Sequence, residues 1–343
     1  MRPHKPFLPA KLRPQQDTLI DQFARRINYL RISVTDRCDF RCTYCMSEKM
    51  QFLPKREILT LEETAEIAFA FTTLGVDKIR ITGGEPLVRH NIIRLFESLG
   101  KLPLGELVLT TNGSRLSQFA EPLRQSGVSR INISLDSLKP ERFKRITRFG
   151  NLNNVLNGID SALRHPFERL KINSVIMKNR NHDETPDLVQ FAIDRNMDIS
   201  FIEEMPLGAI DDHKRRESYY SSDELVSDLS LHYDLLPSST TTGGPSRYYQ
   251  VRGTNTHVGL ISPHSHNFCD TCNRVRLTAQ GRLLLCLGQE NSVDLRRIVR
   301  NHPGDLELMR QQIRQAMHIK PRGHDFDLDE KPVILRHMSV TGG

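Results

Sequence analysis

Between residues 30 and 203 the chain repeats one pattern, a short apolar run followed by a stretch with helical spacing. The runs fall at 30–34, 78–82, 106–110, 130–135, 170–177 and 199–203, and Ile131, Ile133 and Leu135 show the two-residue period of a strand. Between them, Thr60 and Glu63 form a capping-box signature ahead of Ala65, Ala68 and Phe71, with Gly75 as the stop. Ile92, Phe96 and Leu99 share a face before Gly100, as do Leu116, Phe119, Ala120 and Leu123 before Gly127 and Leu188, Phe191 and Ala192 after Pro186. Six strands joined through helices require a parallel sheet with right-handed crossovers. Periodicity alone leaves open whether the sheet curls into a full or partial barrel or stays flat and doubly wound.

With 343 residues the chain can build one large domain or two smaller ones, and 38% hydrophobic with 26% charged residues is ordinary globular composition. It contains no run of eighteen apolar residues, so no membrane-spanning helix is expected. Pro3, Pro6, Pro9 and Pro14 stand among basic residues, with no continuous apolar stretch of the kind a secretion signal needs; the cytoplasm is the expected location. A net charge of +7 suits an anionic substrate or nucleic acid, but no basic stripe interleaved with aromatics exists and Trp is absent. Residues 1–26 are expected to form a flexible basic arm, 27–237 the repeating α/β unit and 238–343 a C-terminal unit. The polar run 211–217 reads as a solvated loop and 238–246, rich in Ser, Thr and Gly, as a linker or exposed turn. The C-terminal unit is expected to pack over one end of the repeating unit.

All six cysteines fall into two groups, Cys38, Cys42 and Cys45 in a C-x3-C-x2-C spacing, and Cys269, Cys272 and Cys286. A disulfide framework is not expected in a chain of this size without an export signal. Three thiolates can hold three irons of a cubane cluster and leave the fourth to an outside ligand, whereas electron-transfer clusters and structural zinc normally take four protein ligands. Taken alone, the first triplet fits iron–sulfur or zinc, and the second, with His264 or His266 nearby, fits a Cys3His zinc site.

Active sites of parallel α/β sheets lie at the carboxyl ends of the strands. Gly83-Gly84-Glu85-Pro86 ends the second strand, Thr111-Asn112-Gly113 follows the third and Asn132 to Asp136 the fourth. The first cysteine loop, Glu85, Thr111, Ser134, Lys171 and Met205 should therefore converge. Taken alone, Lys171 and Thr111 also read as ordinary strand-end residues and Met205 as core filler.

C-x3-C-x2-C after a first strand, joined to Gly-Gly-Glu-Pro after a second, resembles the radical S-adenosylmethionine superfamily. Cys269-Asp270-Thr271-Cys272-Asn273-Arg274-Val275-Arg276, with Cys286 beyond and Gly342-Gly343 at the end, resembles the GTP 3',8-cyclase family of molybdenum cofactor biosynthesis. The likeness runs from about residue 28 to the end. It implies a partial (β/α)6 barrel of the TIM type with a smaller C-terminal unit, two [4Fe-4S] clusters and S-adenosylmethionine. The first cluster would sit on Cys38, Cys42 and Cys45, the second on Cys269, Cys272 and Cys286. Tyr44, Gly84, Ser134 and Met205 would line the S-adenosylmethionine, and Glu85 belongs to the motif that meets its amino group. Arg31, Arg80, Thr111, Lys171, Arg274, Val275 and Arg276 match positions that meet GTP, Arg274 and Arg276 being counted with the catalytic set as well. Gly342 and Gly343 would thread toward the substrate. Guanidinium forks and an ammonium are the groups that pair with a triphosphate.

The implied reaction begins with one electron passing to the sulfonium and releasing a 5'-deoxyadenosyl radical. That radical takes the ribose 3' hydrogen of GTP, and the carbon radical adds to C8, giving 3',8-cyclo-7,8-dihydro-GTP. Implied partners are GTP, an electron donor and, downstream, cyclic pyranopterin monophosphate synthase; neither membrane nor nucleic acid is expected, and a homodimer is left open. Ser200 stands where the resemblance leads one to expect an arginine near the phosphates, and Asp39 where asparagine is commoner, with little effect expected. Two other readings stay open: another radical S-adenosylmethionine enzyme with an auxiliary cluster, such as a peptide-modifying one, and a zinc or iron–sulfur protein that binds nucleic acid.

Overall fold

The computed structural model describes residues 17–208, 215–326 and 336–342. Most of the expected arm, residues 211–214 of the expected polar loop and Gly343 lie outside them.

The first half alternates as its sequence requires: β1 (Tyr29–Ser33), α1 (Leu61–Thr73), β2 (Lys78–Thr82), α2 (Ile92–Leu99), β3 (Glu106–Thr111), α3 (Leu116–Gln125) and β4 (Arg130–Ser134). Between β4 and β5 (Arg169–Ile176) lie two helices, α4 (Pro140–Thr147) and α5 (Leu152–Leu163), followed by α6 (Thr185–Asp194) and β6 (Asp198–Glu203). The period of α5 is hard to see because Asn151, Asn153, Asn154 and Asn157, poor helix formers, interrupt it. The capping box on α1 forms: Thr60 Oγ1 accepts from the Glu63 amide at 3.1 Å and Glu63 Oε2 accepts from the Thr60 amide at 2.8 Å. Strands β1 to β6 pair in sequence order, all parallel. They are nearly continuous apolar runs because helices cover the outside and side chains fill the inside.

The barrel does not close. The rest of the chain supplies α7 (Arg215–Ser218), α8 (Ser222–Leu229), β7 (Leu235–Ser238), β8 (Arg247–Val251), β9 (His257–Ile261), β10 (Arg274–Leu277), β11 (Arg282–Leu284) and β12 (Ser292–Asp294). It ends with α9 (Leu295–Asn301), α10 (Leu306–Met317) and α11 (Met338–Thr341). β10 pairs in parallel with β1 and β9 in parallel with β6, so one twelve-stranded sheet runs β12-β11-β10-β1-β2-β3-β4-β5-β6-β9-β8-β7. The C-terminal residues therefore do more than lie over one end. They satisfy the backbone groups that β1 and β6 would otherwise leave unpaired at the edges of the gap. The point between residues 237 and 238 falls inside β7, in the antiparallel hairpin β7–β8, and 239–246 form the hairpin's connection.

Two expectations of looseness are corrected. Residues 17–26, assigned to the arm, are packed: Leu19 is buried, its amide donates to Leu74 O, and Ile20 bridges to Arg26. Arg25, paired to Asp21 at 2.7 Å, donates to the carbonyls of Cys269, Pro321 and Arg322 at 2.6–2.7 Å. The several fixed donors of one guanidinium thus tie three segments together. In the polar run, residues 215–217 begin the helical turn α7, where Arg215 is held by the carbonyls of Leu207 and Gly208 and by Glu204 at 3.4 Å. Among the described residues no helix is long and apolar enough to cross a membrane.

Helix α5 packs on α3 through Gly158, where a Cβ would run into the carbonyl oxygen of Gly113 in the loop after β3. Gly158→Ala should cost about 1–3 kcal/mol in urea denaturation, the cost of overpacking a fixed contact, while an Ala at the exposed Gly304 helix-end turn, φ +80° with open space around it, should cost about 1 kcal/mol or less.

Candidate active site

The carboxyl ends of the parallel strands open into two adjoining cavities that share Asn173, Ile202, Met205 and Met338 as their common wall. The first holds Cys38, Cys42 and Cys45, on the loop after β1, facing Gly84, Ser134 and Met205. The Gly-Gly-Glu-Pro turn is stitched to the cysteine loop: the Gly84 amide donates to Thr35 O and the Glu85 amide to Arg37 O, both at 2.8 Å. A Cβ on Gly84 would collide with the Arg37 carbonyl, so only glycine permits this approach.

Glu85 is fully buried and does not line the cavity itself. Its carboxylate accepts from the Leu87 amide at 3.0 Å, Thr111 Oγ1 at 2.8 Å and the Asn112 amide at 2.7 Å. Burial outweighs these donors and raises its pKa to about 7. Glu85 thus fixes the end of β3 against the cysteine loop. Asp39 does the same from the other side, accepting from Asn112 Nδ2 at 2.7 Å and Ser114 Oγ at 2.6 Å. Both its oxygens are used, and an asparagine there would retain one acceptor. Tyr44 donates to Asp136 at 2.8 Å, and burial raises that carboxyl to about 6.

All six cysteines are free of disulfides. Burial pushes the thiols of Cys38 and Cys42 far above the usual range and that of Cys45 to about 12. Three buried sulfurs that resist ionisation in the bare protein are a set that a strongly Lewis-acidic group must deprotonate. This donor chemistry fits an iron–sulfur cluster with three thiolate ligands.

The second cavity is built by strand register. Arg31 on β1 pairs with Arg80 on β2 and with Arg276 on β10, so three guanidiniums lie side by side across the sheet. One layer below, Tyr29 pairs with Lys78 and Arg274. Lys171 enters from β5, its Nζ 3.1 Å from Tyr248 Oη, and Val275 lies between the two β10 arginines. Burial and mutual repulsion drive the pKa values of Arg31 and Arg276 down, that of Arg276 to about 10. Burial alone would raise the Tyr29 phenol, but Arg80, Arg31, Lys78 and Arg274 bring it to about 7. No Asp or Glu is among the described residues lining this cavity. Cys269, Cys272 and Cys286 close its far side with His324 and Phe326, whose rings stack at 4.1 Å. In contrast with the first triplet, Cys272 has its thiol pKa lowered: burial raises it, but Lys320 and Arg274 more than offset that. Cationic surroundings and three thiols fit a second cluster.

The structure thus gathers Arg31, Arg80, Lys171, Arg274, Val275 and Arg276 in the second cavity, and Tyr44, Gly84, Ser134 and Met205 in the first, Met205 lining both. Thr111, expected with the GTP-binding set, lines the first cavity and bonds Glu85. Gly342, at φ +76°, passes against Thr82, and its carbonyl accepts from Arg276 Nη1 at 2.5 Å. Ser200 is buried, its hydroxyl 3.3 Å from that of Ser246, and it lies against Gly259 of β9. Tyr29, Asn173, His324 and Phe326 line the cavities and were missed by motif reading, as was Lys78, whose ammonium lies over the Tyr29 ring. Tyr29-x-Arg31, Lys78-x-Arg80 and Arg274-x-Arg276 each put two polar side chains on one face of an otherwise apolar strand, which was the available signal.

Two family models match the chain, the radical SAM superfamily over residues 32–192 and molybdenum cofactor synthesis C over residues 197–326. A GTP 3',8-cyclase of Saccharophagus degradans is 58% identical over 96% of this chain and 100% of its own length. One of Ectopseudomonas mendocina is 57% identical over 95% of this chain and 98% of its own. Among solved structures, Streptococcus suis SuiB bound to S-adenosylmethionine superposes with a TM-score of 0.61 at 15% identity, covering 83% of this chain and 68% of that one; this is a likeness of fold.

In metal-free protein, Glu85 takes up its proton more readily folded than unfolded, so its stabilisation is present below pH ~4.5 and lost as pH rises to about 7. Urea denaturation of the metal-free chain at successive pH values should show this loss, on the order of 3 kcal/mol, and Glu85→Gln should flatten it; an equal slope in both proteins would count against the buried carboxylate.

Proposed function

Because the chain belongs to the GTP 3',8-cyclase family of radical S-adenosylmethionine enzymes, we propose that it cyclises GTP to 3',8-cyclo-7,8-dihydro-GTP, the first step of molybdenum cofactor biosynthesis. The observation that carries the reading is the row of Arg276, Arg31 and Arg80, set side by side by strand register in a cavity that opens onto a separate three-thiol site. Guanidinium forks held side by side match the oxygens of a polyanion, and a triphosphate is such an anion.

Cys38, Cys42 and Cys45 would hold one [4Fe-4S] cluster and Cys269, Cys272 and Cys286 the other. When bound, the first cluster would supply the electron for radical chemistry with S-adenosylmethionine, and the second would supply a metal-bound anchor for the substrate. The chain's residues do the positioning. Tyr44, Gly84, Ser134 and Met205 bound the S-adenosylmethionine, with Thr111 and Glu85 fixing the β3 loop beneath it. Arg31, Arg80, Lys171, Arg274 and Arg276 bind the phosphates, and Val275 keeps the β10 arginines in register. Tyr29, whose phenolic oxygen accepts from Arg80 Nε, holds that guanidinium in place. The Gly342 carbonyl, accepting from Arg276 Nη1, holds the last described residue against the arginine row. Met205 and Met338, where the cavities meet, exclude water around the sugar. An electron donor and a downstream cyclic pyranopterin monophosphate synthase complete the reading, in a cytoplasmic setting; a homodimer is consistent with it.

Anaerobic incubation of reconstituted protein with S-adenosylmethionine, GTP and reductant should yield 5'-deoxyadenosine and a cyclised GTP in equal amounts; deoxyadenosine formation that GTP does not stimulate would overturn the proposal. Arg276→Ala or Lys171→Ala should lower kcat/KM for GTP about 10–100-fold, the loss of one charge-assisted hydrogen bond. Substituting Cys269, Cys272 and Cys286 in turn should abolish the GTP-dependent product while the first cluster remains.

A further inference from the structure

Lys320 follows α10, and its side chain is buried, with the residue 1% exposed. Its Nζ donates to Leu285 O at 2.6 Å and to Cys272 Sγ at 3.7 Å. Among the described residues no carboxylate pairs with it. A buried ammonium without a counter-charge costs several kcal/mol, so this position is sustainable where a fixed negative charge faces it.

The surrounding backbone holds the side chain on target. Gln22 Nε2 donates to Lys320 O at 2.8 Å, and Arg25 joins the carbonyls of Pro321 and Arg322 to that of Cys269. At Gly323 a Cβ would lie 3.3 Å from Cys269 Sγ. The strap 320–323 therefore meets the sulfur of Cys272, the carbonyl preceding Cys286 and the side chain of Cys269. The first triplet has the opposite setting: Asp39 Oδ1 is 3.9 Å from Cys38 Sγ, and Glu85 and Asp136 are buried close by.

We propose that Lys320 is a positioning residue for the second cluster, supplying its counter-charge and holding its reduction potential above that of the first. The inference rests on the assignment of a cluster to Cys269, Cys272 and Cys286. Reduction adds one negative charge to a cluster, and a fixed positive charge a few ångströms away in a poorly polarisable interior stabilises the reduced form. Carboxylates around the first triplet act in the reverse sense. The two sites are thereby poled, one for a strong reductant and one for an anionic substrate.

The test is a redox titration followed by electron paramagnetic resonance on the full-length holoenzyme, comparing wild type, Lys320→Met and Lys320→Arg, with iron content measured for each. The second cluster's signal is identified as the one missing from Cys272→Ser. Lys320→Met should move that signal to lower potential and leave the other in place, and Lys320→Arg should restore it. Loss of the second cluster's iron in Lys320→Met with retention in Lys320→Arg supports the same conclusion. An unchanged potential in an iron-replete Lys320→Met, an equal shift of both signals, or iron loss in both variants would overturn it. Should wild type itself carry iron for a single cluster, the failure belongs to the assignment of the second cluster rather than to Lys320.

Discussion

Three arginines in one row of a parallel sheet are an arrangement that the polypeptide alone does not favour. Each strand around them is otherwise apolar, so their charges are desolvated, and their register forces them side by side. Burial and mutual repulsion depress the proton affinity of Arg31 and Arg276, and the phenol of Tyr29 is acidified by the same field. Such strain persists where surrounding structure over-determines it and where function uses it. Here β1 is fixed on both sides by parallel ladders, and its far end carries the first cysteine loop, so one strand positions both cavities.

The unclosed barrel is what makes this possible. A closed eight-stranded barrel would fill its interior with apolar layers. With β1 and β6 left apart, the C-terminal strands enter at both edges, β10 bringing Arg274 and Arg276 beside β1, and β9 and β8 bringing Tyr248 beside Lys171. The second triplet then hangs from β10 and the strap after α10, close to the phosphate-binding row. The same segment that closes the sheet edge also supplies the substrate side of the site.

Much of this was readable in the chain. The six strands, the capped helices and the two cysteine triplets are local patterns, set by side-chain periodicity and by spacing, and the structure keeps them within a residue or two. What could not be read were relations between distant segments. Glu85 was expected to meet a ligand, yet its carboxylate is spent on Thr111 and the β3 loop, because burial at that turn demands donors. Residues 17–26 look like an arm because they lack periodicity, yet Arg25 anchors them through carbonyls nearly 300 residues away. Lys320 has no motif around it at all.

The sequence by itself determined the elements, the parallel sheet and the chemistry of the thiols, since these follow from periodicity and from residue type. Tertiary structure alone decided that the barrel stays open, that Arg276, Arg31 and Arg80 stand in one row, and that the two triplets have opposite electrostatic surroundings. The physical reason is that register and burial are properties of pairs of strands, and the fields they create come from groups that meet only when the chain has folded.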